Sequence, residues 1–120
     1  MDNEIESITS LLQEWKDTKE ELEVLFRERE QKNAQELMTK GISLFKQFLT
    51  LSNRVPGSLD EPFKSIQLDF KPVNLEERLG FVMSRPALFH SFRQLSELMI
   101  EQEKLYVKKN IQKKASKPIG

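Results

Sequence analysis

Apolar residues at Ile5, Ile8, Leu12, Trp15, Leu22 and Phe26 recur at alternating spacings of three and four, with Lys19 at the one skipped position and Leu11 and Leu25 on the flank. That is the period of an amphipathic helix burying one stripe. Asp2 or Asn3 stands where a cap is needed. The Thr18-Lys19-Glu20-Glu21 stretch has capping-box spacing, but the stripe keeps its phase through it, so one helix to about Arg29 is expected. A second start follows at Asn33-Ala34-Gln35-Glu36, with Asn33 as the cap. Behind it run Leu37, Met38, Gly41, Leu44, Phe45, Phe48, Leu49 and Leu51, to a stop near Asn53. Gly41 costs about 1 kcal/mol against alanine in mid-helix, and its place on the apolar face predicts a close approach by another helix.

Residues 54–73 break the helical period. Pro56, Gly57, Pro62 and Pro72 punctuate them, while Ile66, Leu68 and Phe70 alternate with Gln67 and Asp69. Alternation is the mark of an extended segment, and a lone strand has no sheet to join. An extended strap across the helices is therefore expected, long enough to carry something of its own. Asn74-Leu75-Glu76-Glu77 then opens a short helix that buries Leu75, Leu79 and Val82. Pro86 disfavours helix at Arg85 and forces a break. The last helix shows Leu88, Phe92, Leu95, Met99, Gln102 and Tyr106, thickened by Phe89, Leu98 and Leu105, and should fade near Asn110. Phe48 and Phe92 are expected in the core, on facing helices.

The fold these elements define is all-α: an antiparallel helical bundle of three long helices and one short one, with an extended, proline-punctuated strap. The boundaries expected are a bundle domain over 1–112 and a basic, disordered tail over 113–120. A charged fraction of 32% exceeds the usual share of about 25%, as solvated helix faces require. No cysteine is present, so disulfides, thiolate metal sites and thiol nucleophiles are excluded. Apolar runs are far too short for a membrane span, and the acidic start Met1-Asp2-Asn3-Glu4 lacks the features of a signal peptide. The expected location is the cytoplasm.

The charge sums to zero but is unevenly placed. Six lysines and no acid lie from Lys104 to Gly120, against 13 basic and 19 acidic residues before them. A basic tail on an acidic body admits weak nucleic-acid binding, with Lys108, Lys109, Lys113, Lys114 and Lys117 as the candidate polyanion contacts.

Candidate chemistry is sparse. His90 is the only histidine, and it lies off the apolar stripe, as an ordinary surface residue does. Glu20-Glu21 and Glu76-Glu77 point about 100° apart on a helix and do not converge, and the Glu101/Glu103 pair does not either. A di-metal bundle site would need two Glu-x-x-His motifs. The four glycines are scattered and make no phosphate loop. No cofactor and no metal are expected, and the chain reads as a non-enzyme.

Arg78, Arg85, His90 and Arg93 cluster around the break and invite a helix-turn-helix reading. The apolar start of the second helix, Leu88, Phe89, Phe92 and Leu95, favours a bundle helix instead. Most aromatics sit on helix stripes as core. Phe63 and Phe70 differ by lying in the strap, and with Ile66 and Leu68 they form the candidate partner-binding set. The leading reading is a protein-interaction module whose partner is another protein, with nucleic-acid binding through the tail as the alternative.

The stretch from Leu25 to Lys109 resembles the YpoC-like proteins of low-GC Gram-positive bacteria. The resemblance is carried by Leu25-Phe26-Arg27-Glu28-Arg29, Gly41-Ile42-Ser43-Leu44-Phe45 and the run Lys71-Pro72-Val73-Asn74-Leu75-Glu76-Glu77-Arg78-Leu79. Ser84-Arg85-Pro86, Phe89-His90-Ser91-Phe92 and Glu103-Lys104-Leu105 complete it. It implies a cytoplasmic helical domain with no assigned activity or site residues. The neighbourhood of replication and repair genes in which such genes tend to lie adds an associational link to nucleic-acid metabolism.

Overall fold

The computed structural model describes residues 2–54 and 68–115, with the side chains at 2, 3 and 110–115 excepted. Four helices make up the described fold: α1 (Asp2–Arg27), α2 (Gln31–Asn53), α3 (Leu75–Ser84) and α4 (Phe89–Ala115). The all-α antiparallel bundle expected from the periodicity is what forms. Of the expected strap, residues 55–67 lie outside the described residues.

α2 is the central helix. It packs against α1 on one side and α4 on the other and touches α3. This explains its broad apolar face, where Met38, Phe45, Phe48 and Leu49 have no exposed surface. Gly41 is buried where side chains of α1 and α4 both press on α2: a β-carbon there would lie 3.0 Å from Trp15 Cζ3 and 3.1 Å from Leu95 Cδ2. The close approach expected of this glycine is present.

α1 runs unbroken through Thr18, which is buried. Its inward stripe is Ile8, Leu11, Trp15, Thr18 and Leu22, so the true axis of burial lies beside the expected one. Ile5 is exposed, Leu12 is half-buried, and the skipped position is a buried threonine rather than Lys19. The reason is that α1 covers chiefly one neighbour, α2, and needs only a narrow seam.

α1 ends by hydrogen bonds rather than by composition. Glu30 N–H donates to Leu25 O at 2.9 Å and Arg29 N–H to Phe26 O at 3.2 Å, with Arg29 at φ 58°. This is a Schellman closure with arginine where glycine is usual. The helix therefore stops at Arg27, and α2 starts at Gln31 with Glu30 in the cap position. Asn33 is not the cap: it already lies inside the first turn, and its amide donates to Glu30 Oε1 at 3.4 Å. Asn74 does precede α3, but at φ 56° its side chain makes no capping bond, and its carbonyl accepts from Arg78 N–H at 3.0 Å instead. α3 buries Leu75, Leu79 and Val82 as expected.

α4 buries Phe92, Leu95, Leu98, Met99, Gln102 and Tyr106. It continues to Ala115, past the Asn110 end expected, so positions 113–115 are helical. Residues 116–120 lie outside the described residues.

α3 is tied to α4 by Arg78. Its guanidinium makes a two-pronged bridge to Glu101, 2.9 Å and 2.6 Å, and also donates to Gln94 Oε1 at 2.8 Å and Val73 O at 3.0 Å. The hydrogen bond from Arg78 holds the Glu101 carboxyl below the usual carboxylate range, and the same bond raises the guanidinium further. A lowered carboxylate stabilises the fold above its unfolded pKa, and that contribution disappears as pH falls through the lower, folded value. Glu101→Gln is thus expected to cost on the order of 1 kcal/mol or less at neutral pH, because the carboxylate is 39% exposed and screened. Urea denaturation should show the difference from the unaltered chain vanishing in acid; an equal difference at low pH would refute the assignment.

Candidate functional site

In an antiparallel bundle the α1–α2 connection and the α3–α4 bend fall at the same end. The bend is rigidly built. Pro86 cannot continue α3, and Arg85 N–H closes it onto Phe81 O and Val82 O at 3.1 Å and 3.3 Å. The Arg85 carbonyl then accepts from Leu88 N–H and from the hydroxyl of the fully buried Ser91. α4 begins directly afterwards, its first turn anchored by Ser91 N–H and Phe92 N–H on Leu88 O. Leu88 has no side-chain oxygen for the remaining first-turn amides, and no acid sits in that turn.

This geometry leaves Leu88 39% and Phe89 52% exposed, although the stripe placed both in the core. Phe89 packs edge-on to Phe26, with ring centroids 5.7 Å apart, and Phe26 stacks on Phe92 at 5.4 Å. Between the two connections opens a cleft of about 430 Å³, lined by Leu25, Phe26, Arg29, Glu30, Gln31, Ala87, Leu88 and Phe89. Phe81, also 39% exposed, lies beneath the Arg85 guanidinium, 5.9 Å from the ring centroid.

The cleft rim is basic. Arg29 lines the cleft beside Glu30, and Arg27, Arg85, His90 and Arg93 are exposed on the chain segments that border it. Lys40–Glu14, Arg54–Glu4 and Arg78–Glu101 are ion pairs of the bundle, and among the described residues none of the four rim arginines has a carboxylate partner. From Ser84 to Ser96 there is no acid; Glu28 and Glu30 stand only on the α1–α2 side. The signal that could have found this site was in the sequence: Leu88-Phe89 beside Phe92 is more apolar surface than one stripe can bury, next to a basic cluster.

The residues singled out in the strap and tail are placed differently. Phe63, Ile66 and Lys117 lie outside the described residues, as do the side chains of Lys113 and Lys114. Leu68 is buried in the core and Phe70 is half-buried, so the described end of the strap faces inward. Asn53, at the end of α2, grips the Phe70 backbone from both sides: its Oδ1 accepts from Phe70 N–H at 2.7 Å and its Nδ2 donates to Phe70 O at 2.8 Å. Gln102 Nε2 reaches the same carbonyl at 3.0 Å and the Ser52 hydroxyl at 2.8 Å. Lys108 is exposed, but Lys109 donates to Ser52 O at 2.7 Å and lies 4.7 Å from the Phe70 ring centroid. Its charge clamps the strap onto α2 rather than projecting into solvent, which corrects its place among free tail lysines.

His90 is exposed, and its nearest neighbours in the chain are Phe89 and Ser91. Among the described residues no three histidine, aspartate or glutamate side chains are grouped to hold a metal ion. No described helix is long and apolar enough to cross a membrane.

Fold and surface together define a small all-α bundle whose distinctive feature is an open, basic-rimmed apolar cleft at one end. The chain belongs to the YpoC-like protein family, whose family model matches residues 5–114 and so extends past both ends of the stretch that carried the resemblance. It is similar to the uncharacterized protein YpoC of Bacillus subtilis (strain 168), 33% identical over 106 residues that make up 82% of this chain and 61% of that relative. The chain thus spans about three-fifths of that relative's length. No solved structure is a significant match.

Proposed function

We propose that this chain is a non-enzymatic, cytoplasmic protein-interaction module that binds another protein through the cleft at the bend end. The observation that carries this reading is the exposure of Leu88 and Phe89 at the mouth of that cleft, on a bend held open by Ser91 and Pro86. Half-exposed large apolar side chains gathered beside a concavity are the usual make-up of a binding hot spot, where a partner removes them from water. The Glu101 carboxylate, held low by the Arg78 hydrogen bond, is engaged in a bridge between helices. The tail-based polyanion reading loses Lys109, which is engaged with Ser52 and Phe70.

A Leu88→Ser, Phe89→Ser double variant is expected to melt within a few degrees of the unaltered chain, since both side chains are already about half in water. Affinity capture from a lysate of the native host, compared by mass spectrometry, should show proteins retained by the unaltered chain and lost from the variant. Equal capture by both, with melting unchanged, would sink the reading.

A further inference from the structure

We infer that the occupant of the cleft is an acidic segment of a partner protein, which seats a large aromatic or aliphatic side chain against Leu25, Leu88 and the packed Phe26–Phe89 pair and pairs its carboxylates with Arg29, Arg85 and Arg93. This rests on the reading of the cleft as a docking site and adds the chemistry of the partner.

Size and lining come first. At about 430 Å³ the cleft lies at the low end of ligand-sized concavities, roughly 300–1,000 Å³, which suits one or two anchoring side chains. Its apolar wall is formed by Leu25, Phe26, Ala87, Leu88 and Phe89, and its polar edge by Arg29, Glu30 and Gln31 on the α1–α2 side. An apolar anchor is what such walls accept, while a phosphate backbone would leave them wet.

Charge supplies the rest. Arg29 lines the cleft, Arg85 opens the bend beside it, and Arg93 follows Phe89 by one helical turn on the exposed side of α4. Among the described residues these arginines have no carboxylate partner, whereas the bundle elsewhere pairs Arg78 and Arg54. A guanidinium fork matches a carboxylate in two parallel hydrogen bonds, and the pairing strengthens when an apolar neighbour expels water. From Ser84 to Ser96 the chain carries Arg85, His90 and Arg93 and no acid, so this border of the cleft attracts an acidic segment, as do the lysines from Lys104 onward further along α4, where no such cleft residues stand beside them. A short acidic segment can meet this border alone, without the remainder of the chain before Lys104, which carries 19 acidic and 13 basic residues in all.

The test is a phage-displayed library of random peptides of roughly a dozen residues, selected on the whole chain and counter-selected on the Leu88→Ser, Phe89→Ser variant. Enriched sequences are expected to combine net negative charge with an aromatic or long aliphatic residue. In fluorescence anisotropy, the best peptide should bind the Arg29→Glu, Arg85→Glu, Arg93→Glu variant about tenfold or more weakly at low salt. Added salt should weaken binding to the unaltered chain and leave the charge-reversed variant little changed. Melting of the charge-reversed variant checks its fold, because the three side chains are exposed. Enriched peptides that are neutral or basic, no cleft-dependent enrichment, or an unchanged Kd on charge reversal would each overturn the inference. So would a single-stranded oligonucleotide that binds through the same arginines in place of the peptides. If lysate capture still depends on Leu88 and Phe89 in those cases, the docking reading stands and only the partner's chemistry is wrong.

Discussion

Phe48→Ala is expected to cost about 3–5 kcal/mol, the usual penalty for emptying a fully buried phenylalanine site. Phe48 has no exposed surface, and its ring meets Tyr106 of α4 edge-on at a centroid distance of 6.1 Å. Its carbonyl accepts the Ser52 hydroxyl at 2.6 Å, one turn before the residues that hold the strap. The site cannot collapse easily, because Phe45 and Leu49 beside it are also fully buried and close-packed. Against a total stability of roughly 5–15 kcal/mol, the variant should be folded only marginally. Phe81→Ala, at a ring 39% exposed, removes the same atoms from a half-solvated place and should cost much less. Paired urea curves decide the matter: equal midpoints for the two variants would mean that α2 and α4 do not share the core described.

The helices were legible because hydrophobic spacing is a local signal. Leu75, Leu79 and Val82 leave one phase open for α3, and that phase is the one buried. The expected phase of α1 lies about one position off because its apolar residues come as doublets, Leu11-Leu12 and Leu25-Phe26, which satisfy two faces about 100° apart. A buried threonine then settles the phase, and hydropathy gives Thr18 no weight. The connection at 28–30 escapes the sequence pattern for a related reason. Glycine is the usual sign of a left-handed helix end, yet Arg29, Arg54 and Asn74 carry the positive φ values here.

The cleft was half legible. The basic cluster around the bend is visible in the sequence, and so are Leu88 and Phe89, but helical spacing places both in the core. What joins them is the meeting of two connections far apart in sequence, Arg29 on one and Phe89 on the other. The polar anchor at the opposite end is invisible for the same reason. Asn53 and Phe70 are 17 residues apart, Ser52 and Gln102 are 50 apart, and no spacing rule links them. Leu68 and Phe70, expected as partner contacts, instead hold the chain to itself.

Gly41 gives the second large effect, and its sign runs against helix propensity. Alanine is worth about 1 kcal/mol more than glycine in a helix interior, so an open position would gain from the change. Gly80, where an added β-carbon meets nothing within 4 Å, is such a position, and Gly80→Ala should stabilise by about that amount. At Gly41 the added carbon would stand 3.0 Å from the Trp15 ring and 3.1 Å from a Leu95 methyl. Neither neighbour can give way cheaply: Trp15 is 7% exposed and Leu95 fully buried, both in the middle of long helices. Gly41→Ala is accordingly expected to lose its propensity gain and destabilise. Gly41→Leu, which must drive α1 and α4 away from α2, should cost about 3 kcal/mol or more, the upper end for overpacked cores. Trp15 fluorescence makes the test specific, because separating the helices should shift its emission towards that of a hydrated indole before global unfolding. A Gly41→Leu chain with unaltered emission and midpoint would show that the three helices do not meet at this glycine.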